Sequence, residues 1–185
     1  MGKLILVTGG ARSGKSTFAE DMVRKLGEKV IYIATSTACD DEMRERIKRH
    51  RQQRPAGWLT VEAYKDMDLQ LKDRLRGMEA VLLDCITIMV SNIMLEKAMD
   101  WEGISTEEIN KVEAGVKIEI EKLINTAKEA SIPFVIVTNE LGMGVVPPYE
   151  LGRAIRDMAG RANQMLAKAA EEVYLCVSGI PVKIK

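Results

Sequence analysis

Eight residues constrain this chain more than any others. Gly9-Gly10-Ala11-Arg12-Ser13-Gly14-Lys15-Ser16 satisfies G-x-x-x-x-G-K-S in full, directly after the apolar run Leu4-Ile5-Leu6-Val7-Thr8 and directly before a helical pattern. The glycines let the backbone turn several N–H groups inward, Lys15 can reach β- and γ-phosphates, and the Ser16 hydroxyl can ligand Mg²⁺, all at the positive end of a helix dipole. A chance glycine-rich turn would not carry the strand before it and the helix after it. The motif therefore reads as a phosphate-binding loop, with Lys15 its catalytic cation.

Beyond the loop, Phe18, Ala19, Met22, Val23 and Leu26 recur at helical spacing until Gly27, and Val30-Ile31-Tyr32-Ile33-Ala34 reads as a buried strand ending in Thr35-Ser36-Thr37. A charged helix is predicted from Asp40 to about Gln53, acids first and bases last, stopped by Pro55 and Gly57. A short amphipathic helix follows over Asp66 to Leu75, then the strand Val81-Leu82-Leu83-Asp84 and a methionine-rich helix from Ile86 to Met99. Trp101 to Gly103 is a loop. Ser105-x-x-Glu108 has capping-box spacing at the head of a long helix reaching about Glu129. The strand Phe134 to Thr138, a loop through Pro148, a helix from about Tyr149 to Glu171 and the strand Val173 to Val177 complete the alternation. After the Ser178-Gly179 turn, Val182-Lys183-Ile184 forms a last short strand, and Pro181 beside it points to the sheet edge.

Alternating strands and helices predict an α/β fold: three layers of the phosphate-loop NTPase kind, a mainly parallel sheet flanked by helices, and a short antiparallel edge strand at the C-terminus. Small or polar residues close the strands at Thr8-Gly9, Thr35-Ser36, Asp84, Thr138-Asn139 and Ser178-Gly179, so ligands are expected at the carboxyl ends. One domain over residues 1–185 is expected, enough to bury roughly 70% of the unfolded surface. Lys plus Arg equals Asp plus Glu at 27 each, which argues against a general nucleic-acid or membrane-surface binder and makes anion recognition local. Cys39, Cys85 and Cys176 are odd in number and lack C-x-x-C spacing, as suits free thiols in a reducing cytosol. No apolar run approaches a membrane span, and a cytoplasmic protein is expected.

Two residues raise specific chemistry. Asp84, closing an apolar strand, suits an acid that holds Mg²⁺; the alternative is an aspartate that only caps the next helix. His50 is the only histidine, within Arg46-Ile47-Lys48-Arg49-His50-Arg51-Gln52-Gln53-Arg54. Neutral imidazole is a competent nucleophile toward phosphorus, nearby guanidinium groups disfavour its protonated form, and the same arginines can bind a triphosphate. A solvated basic helix end is the competing reading.

Taken together, several segments resemble the bifunctional adenosylcobinamide kinase/adenosylcobinamide-phosphate guanylyltransferase family. They are Gly9 to Ser16, Tyr32 to Ser36, Asp40 to Met43 with Arg46-Ile47 and His50-Arg51, Arg54-Pro55 with Trp58, Val137 to Glu140 with Gly142 to Gly144, Arg156-Asp157 with Gly160-Arg161 and Asn163-Gln164, and Ser178 to Ile180 with Val182 to Lys185. The resemblance implies phosphorylation of the aminopropanol arm of adenosylcobinamide, then transfer of GMP from GTP through a GMP-histidine intermediate, here on His50. It implies ATP and GTP as substrates, Mg²⁺ as cofactor, a corrinoid partner and a homotrimer. It also implies nucleotide or metal contacts from Gly9 to Ser16, Ala34, Thr35, Ser36, Arg51, Gln52, Gln53, Arg54, Glu62 and Asp84, with the metal at Ser16 and Asp84. Arg49 stands where some relatives carry a second histidine, and Asp84 where some carry Glu. The weakly apolar, charge-rich His50 helix is expected to move relative to the phosphate loop. A single-activity kinase and a non-enzymatic GTP switch are the rival readings.

Overall fold

The computed structural model describes residues 2–36, 55, 57–96 and 100–185. Among these, seven strands form one sheet in the order β3-β2-β4-β5-β1-β6-β7. They are β1 (Leu4–Gly9), β2 (Val30–Ala34), β3 (Leu59–Glu62), β4 (Ala80–Asp84), β5 (Phe134–Val137), β6 (Glu172–Val177) and β7 (Ile180–Lys183). All pairings are parallel except that of β6 with β7, which is antiparallel and puts Pro181 on the outermost strand opposite Cys176. The missing N–H of proline is harmless there. The α/β fold expected from the sequence, with its antiparallel C-terminal edge, is thus the observed one.

The central strands β1, β2, β4 and β5 are apolar on both faces because both are covered. Ile5, Val7, Tyr32, Leu82, Val135 and Val137 pack with Ala19 and Val23 of helix α1 (Lys15–Leu26). The alternate residues Leu4, Leu6, Ile31, Ile33, Leu83, Phe134 and Ile136 face the other helices: α2 (Met67–Leu71), α3 (Ile86–Leu95), α4 (Thr106–Glu129) and α5 (Glu150–Ala169). Each fully buried Leu, Ile or Phe contributes about 1.5–3 kcal/mol of transfer free energy, so this interdigitated double layer, more than any ion pair, holds the strand register. Met89 and Met94 are fully buried in it, as packing residues should be.

The capping box opens α4 as its spacing predicts. The Ser105 hydroxyl accepts the Glu108 N–H at 3.2 Å while the Glu108 carboxylate accepts the Ser105 N–H at 3.3 Å. The Ser105 hydroxyl, which donates to the Glu108 carboxylate at 2.7 Å, and then the Ser105 N–H hold the Glu108 carboxyl below its ordinary range. A second tie links α4 to α2: Lys122 Nζ reaches Asp66 at 2.6 Å and Glu119 at 2.7 Å, and Glu119 also accepts the Asp66 N–H.

Two differences from the sequence expectation have local causes. The helix expected over Asp66 to Leu75 is only Met67–Leu71, because Lys72-Asp73-Arg74 stay exposed and turn back instead of burying a further helical face. Strand β3 was not expected at all: Leu59 and Glu62 are exposed and only Val61 is buried, so an edge strand here lacks the apolar run of its neighbours. The helix starting at Ile86 runs to Leu95, with residues 97–99 outside the described set. The expected helix from Asp40 to Gln53 likewise lies outside the described residues.

The connection leaving β1 carries α1 over one sheet face, whereas those leaving β3, β4 and β5 carry α2 to α5 over the other. Chains departing to opposite faces part above the carboxyl ends of β1 and its neighbours, and open parallel sheets bind ligands in that crevice.

Candidate nucleotide site

The phosphate loop is braced from both sides. The Glu140 N–H, just past β5, donates to the Gly9 carbonyl at 3.0 Å, and the Gly179 N–H, in the β6–β7 turn, donates to the Ser13 carbonyl at 2.9 Å. Gly14 caps α1 with φ +87°, and a Cβ there would lie 2.9 Å from the Gly179 Cα. Left-handed backbone and close approach together require glycine at this position. Arg12, with φ +56°, also takes the left-handed region within the tight turn.

No side chain caps the first turn of α1 and no acidic residue stands in it. Its N–H groups and positive dipole end therefore face an anion without competition from the helix itself. Lys15 is buried, and its ammonium donates to the Gly10 carbonyl at 3.0 Å, an intraloop contact that a phosphate oxygen can replace. The hydroxyls of Thr8 and Ser13 are buried with no hydrogen-bond partner among the described residues. Orphaned hydroxyls are uncommon in protein interiors, and these two stand near the end of β1 and within the loop.

Opposite the loop, the ends of β2, β4 and β5 form a polar shelf. Thr35, 1% exposed, uses every polar group it has: its hydroxyl donates to the Cys85 carbonyl and accepts the Cys85 N–H, both at 2.8 Å, while its N–H reaches the Asp84 carbonyl and its carbonyl accepts Asn92 Nδ2 at 2.7 Å. Asp84 closes β4, and its carboxylate accepts the Tyr32 hydroxyl at 3.3 Å. Thr87 in the first turn of α3 accepts the Asn139 N–H at 3.0 Å. Asn163 of α5 completes the shelf by donating to the Asn139 carbonyl at 3.0 Å and accepting the Thr138 hydroxyl at 2.7 Å. Burial pushes the Cys85 thiol up to about 11; the Asp84 carboxylate adds to this and the Lys15 ammonium opposes it. The loop lysine and the strand-end acid thus both act on one buried thiol, from opposite signs.

The sequence-derived residues fall as follows. Gly9 to Ser16 span the end of β1, the loop and the start of α1; Ala34, Thr35 and Ser36 close β2; Glu62 and Asp84 stand in register with Ala34 on either side, on β3 and β4. All lie at the carboxyl edge of the sheet. His50, Arg51, Gln52, Gln53 and Arg54 lie outside the described residues, as does Cys39. Thr87, Asn92 and the Tyr32 hydroxyl were not singled out from sequence. The signal available was polar Thr87, Ser91 and Asn92 in an otherwise apolar helix. Among the described residues no three His, Cys, Asp or Glu side chains gather into a metal-binding group.

A braced phosphate loop opposite a strand-end carboxylate, at the carboxyl edge of a mainly parallel sheet, defines a phosphate-loop nucleotide-binding protein. Comparison with known proteins narrows the class. The family model for cobinamide kinase / cobinamide phosphate guanyltransferase matches residues 5–184. The chain is 47% identical to the bifunctional adenosylcobalamin biosynthesis protein CobU of Escherichia coli over 98% of its own length and 99% of that protein's. The Salmonella typhimurium protein of the same description is 46% identical over 98% and 99%. The Pseudomonas aeruginosa protein CobP is 36% identical over 97% and 96%. The chain belongs to the cobinamide kinase / cobinamide phosphate guanyltransferase family.

Proposed function

We propose that this chain is a bifunctional enzyme of adenosylcobalamin biosynthesis, phosphorylating adenosylcobinamide with a nucleoside triphosphate and then transferring GMP from GTP to the new phosphate. The observation that carries the reading is the uncapped start of α1, with Lys15 turned onto the Gly10 carbonyl beside the Asp84 strand end, in a chain belonging to a family of that description.

In the first reaction the hydroxyl oxygen of the aminopropanol arm attacks the γ-phosphorus. The bond to the β,γ-bridging oxygen breaks, the hydroxyl proton is lost, and the nucleoside diphosphate leaves. Lys15 and the first-turn N–H groups of α1 offset charge on the phosphate oxygens as that bond breaks. In the second reaction an imidazole nitrogen of His50 attacks the α-phosphorus of GTP and pyrophosphate departs. An oxygen of the corrinoid phosphate then attacks the same phosphorus, forming adenosylcobinamide-GDP and freeing the histidine. Arg51, Gln52, Gln53 and Arg54 are assigned to contact with the nucleotide or its metal, as are Ala34, Thr35, Ser36 and Glu62.

The donors at hand suit a magnesium ion: the Ser16 hydroxyl and Asp84 carboxylate are hard oxygen ligands, too few for a full shell, and Mg²⁺ commonly completes its shell with phosphate oxygens and water. Bound there, it would supply further charge neutralisation on the phosphates. The Tyr32 hydroxyl helps to orient the Asp84 carboxylate.

We assign the active form to a homotrimer in the cytoplasm, acting as a single domain. Support for assembly comes from the exposed apolar residues Ile180, Val182 and Ile184 on the sheet edge, and among the described residues no helix is long and apolar enough to cross a membrane.

Incubation with α-labelled GTP tests the reading. Acid-labile, alkali-stable label on the protein, lost in His50→Ala while cobinamide phosphorylation persists, is the expected result. Phosphorylation without label would reduce the chain to a kinase, and label that survives in His50→Ala would move the nucleophile elsewhere.

A further inference from the structure

Residues 143 to 149 expose four large apolar side chains: Met143 at 81%, Val145 at 93%, Val146 at 60% and Tyr149 at 70%. Each would ordinarily be buried or replaced, and such a cluster marks a surface that something covers. The loop is not slack. Glu140 Oε1 accepts the Gly142 N–H at 2.7 Å, Arg153 Nη1 donates to the carbonyls of Pro147 at 3.2 Å and Pro148 at 2.6 Å, and the Asn139 carbonyl is fixed by Asn163. Its apolar side chains are therefore held outward by a backbone that is tied down at both ends.

Position decides what the surface is for. The root of the loop is bonded to the phosphate loop itself, through the Glu140 N–H and the Gly9 carbonyl, and Met143 follows only three residues later, within about 11 Å of chain. A nucleotide is recognised by charge and many hydrogen bonds, and the side chains of this stretch offer no charge and a single hydroxyl, that of Tyr149. The second substrate is different: its reacting hydroxyl ends a side arm, while most of the molecule is a macrocycle bearing methyl groups on its faces and amides at its rim. With the arm directed at the γ-phosphate, the macrocycle must rest beside the phosphate loop, not in it.

We propose that the 143–149 loop is the docking surface for the corrin macrocycle, with Met143, Val145, Val146 and Tyr149 covering its methyl-bearing face. This rests on the corrinoid reading of the site above. Methionine adapts to an irregular apolar face, and tyrosine joins an apolar ring to a hydroxyl that can meet a peripheral amide. The tied backbone reduces the ordering cost of binding.

The test is the double variant Val145→Ser, Tyr149→Ser in the full chain, with Met143→Ser as a second, separate substitution; exposed positions of this kind rarely alter folding. KM for adenosylcobinamide is expected to rise about tenfold or more in the double variant, and less in Met143→Ser, with KM for the nucleotide, kcat at saturating corrinoid and native mass unchanged. Unchanged corrinoid KM in both variants overturns the proposal. A fall in native mass overturns it too, and makes this face a contact between copies of the chain. If the unsubstituted protein phosphorylates no cobinamide, the functional reading itself fails, an outcome visible before any variant is made.

Discussion

Thr35→Val puts the polar shelf to its most direct test. Valine fills the same volume but cannot exchange hydrogen bonds with Cys85, and at 1% exposure water cannot replace them. The two lost bonds differ in consequence. The Cys85 carbonyl still accepts the Met89 N–H at 3.1 Å and stays satisfied, but the Cys85 N–H, whose hydrogen bond is to Thr35, is left unpaired and buried. One orphaned donor costs about 1–3 kcal/mol and one lost net hydrogen bond about 1 kcal/mol, so the variant should lose roughly 2–4 kcal/mol. For a chain of this length each kcal/mol lowers the unfolding midpoint by about 2–4 °C, so a drop of around 10 °C is expected by circular dichroism. Thr35→Ser keeps the oxygen and forfeits only a methyl group, about 1 kcal/mol. Because the same hydroxyl anchors the residue after Asp84, Thr35→Val should also weaken triphosphate binding while Thr35→Ser retains it. Equal midpoints for the two variants, or a valine variant as stable as the parent, would refute the assignment.

Three further outcomes are expected. Ser105→Ala removes the capping box of α4 and should cost about 1 kcal/mol in urea unfolding, with Ser105→Asp restoring most of it; no difference between the two would mean the cap contributes nothing. Hydrogen bonds from Lys3, then Tyr174 and Lys183, hold the Glu172 carboxyl down to about 2, so its stabilisation is complete above the unfolded carboxylate range near pH 4.5 and is lost as pH falls toward 2; the stability gap between parent and Glu172→Gln should close over that window and stay constant from pH 5 to 7. With its thiol near 11, Cys85 is about one part in a thousand thiolate at pH 8, so in a Cys39→Ser background a disulfide reagent should titrate Cys85 only after denaturation, and immediate release of an equivalent in the native state would contradict the burial described.

How much was legible in the sequence follows from how local the determinants are. The phosphate loop, β1, β2, β4, β5 and α4 each carry their signal within about ten consecutive residues: an apolar run, a glycine pattern or a capping box. Strand β3 does not, because its pairing with β2 through Ile31 opposite Leu59 and Ile33 opposite Val61 is supplied by the neighbour, leaving a half-exposed segment that reads as loop. The shelf was legible only in outline. Strand-end Thr35, Asp84 and Thr138 could be read from position, but that Asn92 on α3 meets Thr35 and Asn163 on α5 meets Thr138 depends on helix packing across the sheet, between residues 57 and 25 positions apart. Asn92 needed the inverse of the usual rule, since a polar side chain in a run such as Ile86 to Leu95 is informative because it must find a partner.

The two sides of the crevice are satisfied in opposite ways, and this gives the chemistry a fixed side and an adjustable one. On the shelf, Thr35 bonds to the Cys85 backbone, and Thr87, Thr138, Asn139 and Asn163 bond to one another, so a ligand gains nothing by displacing these bonds and their contribution is to hold strand ends in place. On the loop side, the first turn of α1 is uncapped, two hydroxyls are buried without described partners, and Lys15 bonds to a carbonyl of its own loop. Those groups lose little and gain charge-assisted bonds when phosphates arrive. A triphosphate bound against such a surface is located by its β- and γ-phosphates whichever phosphorus is to be attacked. On the mechanism proposed above, the choice between γ- and α-phosphorus then falls to whatever brings the nucleophile: the corrinoid hydroxyl from the side of the 143–149 loop, or the imidazole assigned to His50. On that mechanism, two reactions on one phosphate loop require two approaches to a single anchored chain of phosphates, which is why substitutions at Lys15 should impair both reactions while those at His50 spare phosphoryl transfer.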